Sequence, residues 1–233
     1  MALPKIDLPI FELTLPSTGE KIKYRPFTVK EEKILLVAQE SEDPSQEVLA
    51  TKQVVNNCLV DKDVSDLAMF DLEYVLLVLR SRSVDNNITF NVTDPETKES
   101  VSLTLDLDAV TLLRNENHNN EIVINQDYKL FLKYPTIEQY ITISSMDISD
   151  PLVNYYIMIS CLDYVASEDE VHYFKDHTKE ETDAFMENVS GEVLKKIQNF
   201  FETMPRLRHE IKYKNKNDTE QTFVIEGMRT FFT

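Results

Sequence analysis

An α+β fold, a helical core carrying several β-hairpins, is predicted by three observations. Short runs of alternating apolar and polar residues flank turn-forming residues near both ends of the chain and in its middle. Apolar runs at helical spacing lie apart from them. One of those helical runs, residues 66–83, is apolar on most sides and so belongs inside a core.

Residues 13–33, LTLPSTGEKIKYRPFTVKEEK, hold the first hairpin and the first helix start. Leu13-Thr14-Leu15 and Ile22-Lys23-Tyr24 alternate as half-buried strands do, and Pro16-Ser17-Thr18-Gly19 supplies the turn. Tyr24, Arg25, Pro26 and Phe27 mark a strand-to-helix corner, where Arg25 reads as a structural ion-pair partner. Thr28 and Glu31 have capping-box spacing and open an apolar-periodic helix over 29–41. It stops before Asp43-Pro44, because a residue preceding proline is pushed out of the helical region. A second helix over 45–60 places Val48, Val55 and Leu59 on one side, and Asp61-Lys62-Asp63 breaks it. In the third, 66–83, Leu72, Val75, Leu76, Leu77, Val78 and Leu79 leave little polar surface. These three helices form the predicted centre of an N-terminal lobe.

Residues 88–92 and 101–105 alternate on either side of a polar turn at 93–99, and 122–124 and 128–134 continue the strand pattern. Between them Asn115–Asn120 is a polar loop with little reason to be rigid. From Pro135 the chain turns helical. Thr136 with Gln139 and Thr178 with Glu181 repeat the capping-box spacing. Asp150-Pro151 resembles an N-cap followed by proline at the first helical position. Leu152, Tyr155, Tyr156 and Ile159 trace one face, and Val193, Leu194, Ile197, Phe200 and Phe201 form an amphipathic stripe that ends at Met204-Pro205. A hairpin over 210–213 and 222–226 and a hydrophobic tail over 228–232 close the chain. The expected division is 1–134, with the hairpin, the three-helix core and the central β segment, and 135–233, a helical lobe with the last hairpin.

The 233 residues include 41 acidic and 24 basic side chains, a formal charge of −17. Such a field repels phosphate and acidic membrane surfaces, so neither nucleic acid nor membrane is an expected partner. The charge serves solubility or a basic protein partner. Cys58 and Cys161 sit in apolar helical contexts and read as buried free thiols, with no disulfide framework. The first eleven residues are broken by Pro4 and Pro9 and are not a secretory signal. The apolar stretch 67–79 is too short to span a bilayer. A reducing cytoplasm fits these features.

Catalytic patterns are scarce. Gly19, Gly191 and Gly227 are too far apart for a phosphate cradle. No nucleophile elbow or zinc-protease helix motif occurs. His172 and His177 lie in SEDEVHYFKDHTKEE with Asp169, Glu170 and Asp176, a cluster that could hold a cation or respond to pH. Their spacing of five does not align both on one helix face, and a solvated interhelical loop is the simpler reading. Asp106 and Asp108 in LDLD read as a helix cap or strand end. KLFLKY at 129–134 and the lysines of 212–216 read as polar strand faces before they read as base-stacking platforms.

The segment LPSTGEKIKYRPFTVKEEKILL, followed in order by FDLEYVLLVLRSRSV at 70–84 and by residues 130–135, resembles the baseplate hub subunit and hub-assembly proteins of T-even-type contractile-tailed phages. The resemblance implies a non-enzymatic tail component, with no catalytic residue and no cofactor to carry over. It implies binding to other baseplate hub and tail proteins during assembly of the central hub, in the infected-host cytoplasm and in the virion tail baseplate. A permanent structural subunit is the alternative role. Two segments echo each other, ITFNVTDPETKESVSLTLDLDAV from Ile88 and IKYKNKNDTEQTFVIEGMRTFF from Ile211. They are two ordinary hairpins or a duplicated zinc-ribbon-like element. Members of the family carry cysteine knuckles at such turns; here Thr93-Asp94-Pro95 and Asn215-Lys216-Asn217 supply no thiolate for a metal. The candidate partner-binding residues are Leu8, Ile10 and Phe11 of an N-terminal arm and Met228, Phe231 and Phe232 of the tail. A metal enzyme built on His172 and His177, and an acidic inhibitor that mimics DNA, are the rival classes.

Overall fold

A computed structural model describes residues 7–41, 44–144 and 153–226. The fold is α+β, with seven helices and eleven strands in small antiparallel sheets among those residues. The chain forms two compact units, Met1–Leu113 with Arg206–Thr233, and Arg114–Pro205. The division expected after residue 134 falls inside the second unit.

The first unit begins with β1 (Phe11–Thr14) and β2 (Lys21–Tyr24), paired Thr14 to Lys21. Gly19 closes the turn at φ +71°, a left-handed conformation that glycine adopts without steric cost. Helix α1 (Val29–Glu40) starts at the predicted reciprocal Thr28–Glu31 capping box. Helix α2 (Pro44–Cys58) buries Val48, Thr51, Val55 and Cys58, one stripe at helical spacing. Its end is stitched to β2: Arg25 N–H donates to the Cys58 carbonyl at 2.9 Å, and Val60 N–H to the Lys23 carbonyl at 3.0 Å. A single 3-10 turn capped by Asp63 then leads into α3 (Met69–Ser83).

Helix α3 is the buried element its sequence predicts. Phe70, Leu72, Val75, Leu76, Leu77 and Leu79 are all buried, and so is Asp71. Asp71 accepts from the backbone N–H of Ser17 at 2.9 Å and from the Ser17 hydroxyl. The price of desolvating that carboxylate is therefore met by the hairpin turn. At the other end Ser83 Oγ accepts from Phe27 N–H at 2.9 Å.

The corner at Arg25 is an ion pair, as expected. Its guanidinium lies 3.0 Å from Glu31 Oε1, and the Glu31 side chain is 2% exposed. Burial pushes the Glu31 carboxyl up. Hydrogen bonds from Arg25 and Thr28 and the Arg25 charge outweigh that and hold it at about 2.

Strands β3 (Asn87–Thr93) and β4 (Ser100–Asp106) form the central hairpin, and a 3-10 turn capped by Asp106 follows. Strand β5 (Thr111–Leu113), absent from the sequence reading, pairs with the start of β10 (Arg206–Lys214). Strand β10 also pairs with β11 (Glu220–Glu226). The two echoing segments are thus both hairpins. Leu105, Leu107, Leu207, Ile225 and Leu77 of α3 share one apolar cluster with them, and Phe90 meets Phe223 at 5.8 Å.

Their turns are built alike. Asp94 and Asn215 stand at the same position, each folding its own turn by accepting backbone N–H groups: Glu96 and Thr97 for Asp94, Asn217 and Thr219 for Asn215. Lys98 and Asp218 then take positive φ. The turns also clasp each other. Tyr213 donates to Asp94 Oδ2 at 2.8 Å, and Asn215, Asn217 and Gln221 donate to the Glu96 carboxylate at 2.7, 3.1 and 3.2 Å. The backbone N–H of Thr97, the Tyr213 hydroxyl and other donors bring the Asp94 carboxyl down to about 2. Those of Asn215, Asn217 and Gln221 lower Glu96.

In the second unit β6 (Glu121–Val123), β7 (Lys129–Leu132), β8 (Leu162–Ala166) and β9 (Val171–Tyr173) form one sheet in that order. Helices α4 (Ile137–Ser144), α5 (Val153–Ser160), α6 (Lys179–Glu187) and α7 (Gly191–Thr203) complete it. The expected helix start at Asp150-Pro151 lies outside the described residues. Val193, Ile197 and Phe200 of α7 are buried with Ile122, Leu130, Leu132, Leu162 and Met186. The loop before β6 is held by His118, not left loose. Its Nδ1 lies 2.9 Å from Thr203 Oγ1 and its Nε2 2.9 Å from the Tyr134 hydroxyl. Its ring stacks on Tyr134 and Phe200, and burial lowers its pKa.

Three outcomes follow from this packing. Leu76→Asp is expected to place an unpaired charge in the first core at a cost of at least about 3 kcal/mol and to give insoluble protein; wild-type melting of that variant contradicts the burial. Arg25→Met leaves Glu31 buried without its cation and is expected to cost roughly 2–3 kcal/mol, since Arg25 itself is partly solvated. A double-mutant cycle with Glu31→Gln in urea unfolding measures the coupling, and additive losses contradict it. The Asp94 clasp contributes stability that is complete above the ordinary carboxylate pKa of about 4 and is lost as pH falls toward 2. Melting temperature should therefore fall less steeply between pH 5 and pH 2.5 (on the order of the carboxylate range) in Asp94→Asn than in wild type. Parallel curves contradict that assignment.

Candidate functional site

The arm residues proposed from sequence differ in exposure. Leu8 is half-buried, Ile10 is 61% exposed and Phe11 38%. Phe11 and Leu13 share one face of β1. Leu13 is buried there, while the Phe11 ring rests on Tyr24 at 5.7 Å with its outer edge in solvent. Met228, Phe231 and Phe232 lie outside the described residues.

Helix α1 carries a second exposed apolar surface. It buries Glu31 and Ala38 and leaves Val29, Leu36 and Val37 exposed, Val37 by 68%. Their i, i+7, i+8 spacing puts them on one face. Glu31 faces inward, where it meets both Thr28 and Arg25. That fixes the rotation of the helix.

His172 and His177 do come together. His172 is on β9, a strand where a loop was expected, and His177 ends the 3-10 turn Phe174–Asp176 just before α6. Their ring centroids are 6.0 Å apart. His172 Nε2 lies 3.3 Å from Glu170, and His177 Nδ1 lies 3.4 Å from Glu181. Among the described residues no group of three or more His, Cys, Asp or Glu side chains is placed to hold a metal ion. Instead the histidines stand at a half-open cleft of about 280 Å³ lined also by Tyr128, Val165, Phe174, Glu181 and Phe185. Pairing Leu130 with Val165 and Val165 with His172 puts these residues on one sheet face, where α6 closes the cleft. In the opposite register row Phe131 stacks on Tyr164 at a centroid spacing of 4.4 Å, and Tyr164 meets Tyr173 tilted at 5.4 Å.

Other reactive groups are quiet. Burial pushes the Cys58 and Cys161 thiols up to about 11, so both stay protonated and un-nucleophilic at neutral pH. Asp106 caps a 3-10 turn by accepting from Asp108 N–H at 3.0 Å. The Glu181 carboxyl is lowered first by the Thr178 backbone N–H and then by His177, which is capping-box chemistry. No described helix is long and apolar enough to cross a membrane. Among the described residues, the exposed apolar surfaces and the small apolar cleft at His172 and His177 are of a kind that can serve protein contact.

No curated protein and no solved structure matches the chain. A family model described as T4 bacteriophage base plate protein matches residues 8–233, both compact units together. The chain belongs to the T4 bacteriophage base plate protein family.

Proposed function

We propose that this protein acts by binding other hub proteins during assembly of the central hub of the phage baseplate, without catalytic turnover. The family match over residues 8–233 carries the reading. The hairpin-helix segment at 13–33 and the third helix, which resemble hub proteins, narrow it to the hub. Ile10 and Phe11, apolar and exposed at the start of β1, are the first contact elements, with Met228, Phe231 and Phe232 of the tail as the second. The charge of −17 steers the encounter while apolar burial supplies the affinity. The protein works in the infected-host cytoplasm during assembly. Retention in the virion as a permanent baseplate subunit is the second reading, favoured by the same family match.

Complementation in infected cells tests the proposal. A chain carrying Ile10→Asp, Phe231→Ser and Phe232→Ser is expected to keep wild-type circular dichroism and melting and to fail in hub assembly. Raised salt should slow its wild-type association with hub proteins more than it speeds dissociation. Full complementation by the triple variant removes these contact elements. Intact baseplates after loss of the whole gene remove the function. Mass spectrometry of finished particles separates the assembly factor from the permanent subunit.

A further inference from the structure

We propose that the cleft between β8, β9 and α6 is a docking pocket for a basic protein segment that inserts one aromatic or branched apolar side chain. The inference rests on the contact role proposed above and names the chemistry of one partner. Three observations carry it. At about 280 Å³ the cleft is smaller than most small-molecule sites, which run from roughly 300 to 1,000 Å³. It suits a single large side chain. Its walls are Tyr128, Val165, Phe174 and Phe185, an apolar and largely aromatic lining that rewards such an anchor.

Two carboxylates stand at the cleft: Glu181 lines it, and Glu170 lies 3.3 Å from His172 and accepts from the Tyr128 hydroxyl. Residues 163–187 hold nine acidic side chains against two lysines. Those lysines are turned onto tyrosine rings, Lys175 over Tyr173 at 5.2 Å and Lys179 over Tyr156 at 5.3 Å. Glu170 and Glu181, at the cleft, meet no lysine or arginine among the described residues; their ion-pair neighbours are His172 and His177. Their carboxylates are half or more exposed and open to cations from outside. Exposed pairs of this kind are individually weak, so the anchor carries affinity and the rim selects a basic sequence around it. The cleft also adjoins β9, the last strand of its sheet, whose outer side offers backbone groups to an extended segment.

Peptide titration of the full chain tests this, read from the ring signals of His172 and His177 by NMR. Lys-Lys-Phe-Lys-Lys is expected to shift both histidines saturably. Lys-Lys-Ala-Lys-Lys should bind at least about tenfold more weakly, and Glu-Glu-Phe-Glu-Glu should not bind. Glu170→Gln with Glu181→Gln keeps the Thr178 capping box, since glutamine serves there too, and should weaken the phenylalanine peptide about tenfold. Equal binding of the alanine peptide, binding of the acidic peptide, no saturation, or an unchanged double variant each overturns the pocket. Such a failure leaves the contact role standing, because that role falls only if loss of the gene leaves baseplates assembling.

Discussion

The burial of α3 on most of its sides is the constraint on which the first unit depends. A helix so largely enclosed leaves little water for its polar groups, and its ends must still find hydrogen-bond partners. Asp71 and Ser83 answer that need from opposite ends. Asp71 binds the β1–β2 turn through Ser17, and Ser83 binds the corner at Phe27. The first hairpin is therefore fixed to the helix by polar contacts at two points, with Leu13, Leu15, Ile22 and Tyr24 buried between them. Toward the other hairpins, Leu77 enters the cluster that Leu105, Leu207 and Ile225 share. This explains how the β1–β2 and β10–β11 hairpins belong to one unit: the same helix needs both.

The echoing hairpins show a polar solution to a problem usually met by apolar burial. Their turns approach closely, yet both are rich in Asp, Asn, Glu and Lys. The approach holds because each acceptor is saturated. Asp94 receives its own turn's amides and the Tyr213 hydroxyl, and Glu96 receives three side-chain amides. A carboxylate so surrounded is favoured in its charged form, and both Asp94 and Glu96 are lowered by those donors. The arrangement is directional as well as attractive, so it fixes the register of one turn against the other.

Local signals in the sequence were strong and were realised. The Thr28–Glu31, Thr136–Gln139 and Thr178–Glu181 boxes all form, because a cap is decided within four residues. Helices α1 to α3 and the hairpins of β1–β2, β3–β4 and β10–β11 are legible for the same reason. What the sequence hid depends on distant pairing. Strand β5 exists only because the start of β10 lies beside it. Strand β8 follows α5 after Cys161 alone, with no glycine or proline to mark the change. His118 looked like loop because its partners Thr203, Tyr134 and Phe200 come from elsewhere in the chain. The histidine pair at 172 and 177 was visible as a cluster, but its cleft was not, since Tyr128 reaches it from the turn before β7, Val165 from β8 and Phe185 from α6.

The exposed surfaces and the charge are best understood together. Ile10, Leu36 and Val37 would favour self-association in a neutral protein. At −17, two copies repel each other at long range, and weak apolar contacts between them are opposed before they form. A basic partner meets the opposite field and reaches the same apolar residues without that barrier. Acidity in this chain therefore acts as a filter on encounters: it raises the cost of contact with its own kind and lowers it for a complementary surface.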